Sequence, residues 1–161
     1  KIKKVIRNGT LNIGYAGLKE SLIILLNKQV LEQDDLKIAI DIVKFMKEKC
    51  DSYTDEYKLN FMLFETIDED ILNYFEAIDK AVYGNINNQN YTPFCFIFNN
   101  MKQNLDERFK IESKLNKYSN GGYYELINVP KNYGHKKILE IISKAKEANL
   151  GYIKIRIGKL E

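Results

Sequence analysis

Two short apolar runs restrict what this chain can fold into. Lys58-Leu-Asn-Phe-Met-Leu-Phe-Glu65 and Thr92-Pro-Phe-Cys-Phe-Ile-Phe98 are nearly continuous in apolar character. Each is too short for a free-standing helix and suits a strand covered on both faces. Pro93 fits only near the start of its strand. Three further strands are expected at 10–14, 121–129 and 152–157. Between them, apolar residues recur three and four apart, the period of a helix with one buried face. The spacing predicts helices over 17–26, 34–53, 68–82, 106–118 and 133–149. The first is apolar at Leu18, Leu22, Leu25 and Leu26, and the second along Leu36, Ala39, Ile40, Val43, Phe45 and Met46. The third should turn Ile71, Leu72, Phe75 and Ile78 inward, and the last Ile138, Leu139, Ile141 and Ile142. The Asn-rich stretch 85–90 reads as a loop.

The fold class is therefore α/β, with about five parallel strands alternating with helices. An open sheet and part of a barrel both fit, and five units are too few for an eight-fold barrel. At 161 residues, 45% of them apolar, residues 1–161 suit a single domain with a sizeable core. No apolar run approaches the roughly 20 residues that span a bilayer, and the N-terminus lacks the apolar stretch of a signal peptide. The first residue is Lys rather than Met, which suggests residues removed upstream. A soluble, cytoplasmic protein without membrane contact is expected.

The chemistry-bearing residues are few. Cys50 and Cys95 lie far apart and His135 is the single histidine, so neither a disulfide framework nor a recognisable zinc site is expected. Cys95 reads as a small core residue. Cys50 falls near the predicted end of its helix, where the dipole raises a thiol pKa and nearby lysines oppose it. His135 has no evident partner and is expected in solvent. The charge of +3 is too small and too dispersed to indicate nucleic-acid binding. Lys1 to Arg7 is basic, but Tyr91, Phe94 and Tyr123 are read as core aromatics rather than base-stacking platforms. Asp68, Glu69 and Asp70 could be considered for a hard cation, but neighbouring carboxylates on one helix diverge, so a solvated helix start is expected.

The glycines are more specific. Gly9, Gly14 and Gly17 surround a strand-to-helix turn whose free N–H groups could hold an anion. The pattern is neither Gly-x-Gly-x-x-Gly nor a Gly-Lys-Ser/Thr phosphate loop, and by itself it reads as a tight turn. In full, Arg7-Asn-Gly-Thr-Leu-Asn-Ile-Gly-Tyr-Ala-Gly-Leu-Lys-Glu20 resembles a motif of the anaerobic, glycyl-radical ribonucleoside-triphosphate reductases, Gly-Thr-Leu-Ser-Ile-Gly-Phe-Ile-Gly-Leu-Ala-Glu. The matched turn comprises Gly9, Thr10, Gly14, Gly17 and Glu20. Segments 41–51, 57–66, 120–125 and 149–155 resemble later family motifs in the same order.

The resemblance implies a fold related to one half of a ten-stranded barrel built from two five-stranded halves. It also implies a family activity: radical reduction of ribonucleoside triphosphates, with formate as reductant. The family uses a glycyl radical, zinc and nucleotide effectors. Its radical cysteine precedes the matched region, and its zinc cysteines and radical glycine follow it. This chain ends at Glu161, so the expectation is no catalytic residue, metal or cofactor of its own.

One departure lies inside the match. Where the family has Thr-Pro-Ala-Glu-Gly-Leu-Ser, this chain has Thr66-Ile-Asp-Glu-Asp-Ile-Leu72. Thr66, Ile67, Asp68, Glu69 and Asp70 thus form an acidic, degenerate equivalent of the substrate loop. A carboxylate about 4 Å from a phosphate opposes binding by roughly 4 kcal/mol at an effective dielectric near 20, before screening. Tyr123 stands where the family tends to have His, and Arg156 where it often has Asn. The reading is a diverged or truncated reductase-like domain with a binding or assembly role, in which nucleotide binding is opposed. The alternative is a piece of an active reductase whose chemistry resides elsewhere. Half a barrel leaves two sheet edges, so association with a second copy or a reductase-like partner chain is expected.

Overall fold

A computed structural model of the chain describes residues 5, 7–65, 69–84, 104–123 and 125–158. The elements run β1 (Thr10–Tyr15), α1 (Leu18–Leu25), α2 (Asp35–Tyr57), β2 (Asn60–Glu65), α3 (Glu69–Tyr83), α4 (Leu105–Asn116), β3 (Glu125–Val129), α5 (His135–Glu147) and β4 (Ile153–Ile157). Four described strands form two two-stranded parallel sheets, β1 with β2 and β3 with β4. The α/β class and parallel pairing agree with the sequence. The expected strand at 92–98 and the Asn-rich loop lie outside the described residues.

The two sheets are stitched together by the turn before β3. Gly121 N donates to Leu63 O at 2.7 Å, and Glu65 N donates to Gly122 O at 3.0 Å. Asn120 Oδ1 accepts from Leu63 N at 3.2 Å. Glycine is required at 121 because a Cβ there would sit 2.9 Å from Leu63 O and 3.0 Å from Met62 Cβ. Gly122 takes φ 144°, which L side chains rarely adopt.

Two apolar cores follow from this layout. Leu22, Ala39, Val43, Leu63, Leu115 and Tyr123 belong to the larger, between the β1–β2 sheet and α1, α2 and α4. Phe109, Ile127, Val129, Ile141 and Ala145 form the smaller, between the β3–β4 sheet and α4 and α5. Helix α4 serves both, with Ile111 and Leu115 facing one core and Phe109 the other. Its start is set by Asn104, whose side chain accepts from Asp106 N and Glu107 N, while acids fill the first turn.

Several inward faces expected from periodicity are corrected. Phe45 is exposed on α2, its ring lying under Lys49 Nζ at 5.4 Å. On α3 Leu72 is buried, and Ile71, Phe75 and Ile78 are exposed. On α5, Ile141 and Ala145 are buried while Leu139 and Ile142 are exposed. Periodicity locates an apolar stripe but not its neighbour, and these two helices turn only part of the stripe inward. β2 is likewise covered less fully than expected, with Leu63 and Glu65 its buried residues. No helix among the described residues is long and apolar enough to cross a membrane.

Lys28 and Asp35 tie the α1–α2 connection to the start of α2. Asp35 accepts from Glu32 N at 2.7 Å and from Lys28 Nζ at 2.8 Å. The Glu32 amide first, and the Lys28 ammonium next, hold the Asp35 carboxyl below its ordinary 3.8. A depressed carboxyl stabilises the fold fully above its unfolded value and loses that contribution as pH falls through the folded one. The stability gap between the native chain and Asp35→Asn is therefore expected to be flat near neutrality and to shrink below pH 3.8. Urea unfolding midpoints measured across acid pH check this.

Candidate functional site

In parallel α/β sheets, ligands bind beyond the carboxyl ends of the strands. At that end, Tyr15 closes β1 and Glu65 closes β2, paired in register. Gly17 follows β1 with φ 69°, a left-handed residue that turns the chain into α1. Glu20 lies in the first turn of α1 and is buried. A carboxylate there complements the helix dipole and competes with any anion for it.

The structure divides the glycine motif between the two ends of β1. Gly9 and Thr10 lie at its amino end, exposed, with Thr10 Oγ1 accepting from Asn60 Nδ2 at 2.9 Å. Gly14 packs against Phe64, whose ring would stand 2.8 Å from an added Cβ. Only Gly17 and Glu20 reach the carboxyl end. Of the acidic segment, Thr66, Ile67 and Asp68 lie outside the described residues, Glu69 opens α3, and Asp70 is exposed on its first turn.

A buried polar belt that the sequence does not announce runs from this end towards β3. Tyr15 Oη and Ser119 Oγ are 2.9 Å apart, a buried hydrogen bond across the larger core. Tyr123 Oη donates to Glu112 Oε2, and both residues are buried. Arg108 pairs with Glu125 and donates from Nη2 to Leu126 O at 2.8 Å. Burial pulls the Arg108 guanidinium below its ordinary value, against the pull of Glu112. The one legible signal was Arg108 and Glu112 at i and i+4 on α4, the spacing that puts them on one face. Their partners, Glu125 and Leu126 on β3 and Tyr123 just before it, are set by tertiary packing.

Tyr123 is a core residue, as expected, and Arg156 is partly buried on β4. His135 is exposed at the start of α5. Cys50 lies inside α2, which extends to Tyr57, and is buried at 1% exposure. Burial first, against Lys47, pushes its thiol up, so the direction expected from sequence stands but the main cause is desolvation. Cys50 in the native chain should alkylate about a thousandfold or more slower than in the unfolded chain, because reaction waits on opening. Peptide mapping after timed iodoacetamide labelling reads Cys50 separately from Cys95.

Among the described residues, no three of His, Cys, Asp and Glu are placed to hold a metal ion.

A family model described as anaerobic ribonucleoside-triphosphate reductase matches residues 1–157. The chain belongs to the anaerobic ribonucleoside-triphosphate reductase family. Solved reductases share its fold. One anaerobic ribonucleotide reductase superposes with a TM-score of 0.79 at 15% identity, over 95% of this chain and 25% of its own. The Thermotoga maritima anaerobic ribonucleotide reductase, with glycerol in the active site, gives 0.73 at 15% identity, over 89% of this chain and 24% of its own. This chain thus spans about a quarter of the reductases it matches. No curated protein matches it. Gly17 and Glu20 lie at the carboxyl end of β1, and Tyr123 is buried in the larger core.

Proposed function

We propose that this chain is a wall segment of an anaerobic ribonucleotide reductase barrel, corresponding to one half of it. Its role is binding and assembly, and it does not reduce nucleotides by itself. The observation that carries this reading is the mismatch of coverage: 95% of this chain aligns with only 25% of a reductase. The partner implied is the remainder of such a barrel, on the same or another chain, in a reducing cytoplasm.

Three features support the non-catalytic part of the reading. A thiyl radical must reach the substrate, and Cys50 is sealed inside the larger core. The polar groups nearest the strand ends are engaged with one another, Tyr15 with Ser119 and Tyr123 with Glu112. Carboxylates also stand at the helix starts that follow β1 and β2, with Glu20 buried on α1 and Asp70 exposed on α3.

A second reading is favoured by one observation. Gly17 and Glu20 of the matched motif stand at the carboxyl end of β1, which would suit a reductase segment whose substrate contacts survive. Calorimetric titration with ribonucleoside triphosphates, with and without Mg²⁺, separates the two. The first reading expects no heat of binding and no thermal stabilisation. Saturable, Mg²⁺-dependent binding would establish the second.

A further inference from the structure

Helix α5 ends in a turn that holds an apolar surface open. Asn149 takes φ 57° just past the helix. Asn149 N then donates to Lys146 O and Leu150 N to Ala145 O, both at 3.0 Å. This paired return is the Schellman ending, and it brings Leu150 back onto Ala145. Asn116, the last residue of α4, donates from Nδ2 to Asn149 O at 2.9 Å and pins the turn. Ala145 and Leu150 pack on the smaller core. Beside them lies an open groove of about 500 Å³, lined also by Ile142, Lys146 and Tyr152. The groove sits at the amino end of β4, opposite the strand ends where ligands of α/β sheets bind. Nucleotide binding therefore neither requires nor excludes its occupation.

The charges of α5 are sorted around this groove. Leu139, Ile142 and Lys146 recur three and four apart, so they share one face. Leu139 and Ile142 are half-exposed there. Glu140 and Glu147 lie roughly 100° or more around the helix from that face. Lys144 is held on another side by Asp106 at 2.8 Å. The helix as a whole carries four lysines against two glutamates. The groove face thus joins exposed apolar side chains to positive charge without a carboxylate among them. Leu139 to Lys146 covers about 10 Å, two helical turns.

We propose that this groove docks an acidic amphipathic helix of another protein. Two apolar side chains one turn apart rest against Ile142 and Tyr152, and a carboxylate meets Lys146. Two turns of exposed apolar surface match that spacing, and the open shape suits side chains of a larger body. The pinned turn gives the groove its form before binding, so little ordering is left to oppose docking. The positive field selects an acidic helix over a basic one. A concave apolar floor also disfavours a lipid surface, which takes up protruding apolar side chains.

Fluorescence anisotropy with the full chain tests this. The probe is a labelled peptide of about four helical turns, built of glutamate and alanine around a phenylalanine and a leucine four residues apart. A second peptide has lysine in place of every glutamate. The native chain is expected to bind the acidic peptide saturably, more weakly as salt rises, and to ignore the basic one. Ile142→Glu is expected to weaken binding by about tenfold or more. Lys146→Glu is expected to lose the acidic peptide and gain the basic one. Both sites are exposed, so circular dichroism should remain native, and the charge swap at Lys146 decides the matter even if Ile142→Glu unfolds. Equal affinity for the two peptides, or binding that Lys146→Glu leaves unchanged, overturns the proposal. So does failure of the native chain to bind the acidic peptide. Tighter binding to phosphatidylserine vesicles than to the peptide overturns it in favour of a lipid surface. Peptide binding that falls as the chain is concentrated overturns it in favour of a second copy in the groove.

Discussion

Replacing Arg108 with alanine is expected to destabilise the fold by about 3–5 kcal/mol, the loss typical of breaking a buried ion pair from one side. Arg108 is the cation of a belt that contains Glu125 and Glu112, which are 2% and 1% exposed. Its removal leaves two carboxylates in a low-dielectric setting and Leu126 O without the guanidinium hydrogen bond. It also frees the register of α4 against β3, and α4 contributes to both cores. The double variant Arg108→Met with Glu125→Gln should recover part of the loss, because apolar or neutral replacements remove the desolvated charges themselves. Urea unfolding at neutral pH measures both. A loss below about 1 kcal/mol for Arg108→Ala would place the pair among solvent-screened surface bridges.

Leu63→Ala is expected to cost about 2–5 kcal/mol, the range for emptying a closed core site. Leu63 is fully buried in β2, and it shares the larger core with Leu22, Val43 and Leu115. Its backbone also anchors Gly121 and Asn120, so the cavity cannot collapse without disturbing the turn that joins the sheets. Phe45→Ala is the control. Sequence periodicity placed Phe45 inward, but it is 58% exposed, and its truncation is expected to stay within about 0.5 kcal/mol. Equal losses for the two would restore the periodicity reading and contradict the packing.

The fold class was legible because it depends on local pattern. Short apolar runs gave β2, and the Gly9–Glu20 motif gave β1 and the turn into α1, now with Gly17 at φ 69°. Helix limits were less legible: α2 runs to Tyr57 because Lys58, at φ 54°, ends it in a left-handed turn with no glycine to announce it. Orientation was least legible. Phe75 and Ile78 on α3 fit an inward stripe by spacing, yet the helix rests on Leu72. Spacing is a property of one segment, whereas burial depends on what lies across from it.

The site divides in the same way. Gly17 and Glu20 were visible as a motif, and they lie at the turn from β1 into α1. The Tyr15–Ser119 hydrogen bond joins residues 104 positions apart, and no local pattern could reveal it. The Tyr123–Glu112 and Arg108–Glu125 contacts likewise tie α4 to the turn before β3 and to β3 itself.

The central claim is that this reductase-family chain does not perform the family chemistry unaided. The most direct measurement is anaerobic turnover of the 161-residue chain by itself, with ribonucleoside triphosphates, formate and a radical-generating activase, reading deoxyribonucleotide formed. The account predicts no product above the protein-free control. Deoxyribonucleoside triphosphate accumulating in proportion to the chain, and lost when Cys50 or Cys95 is replaced by alanine, would contradict it.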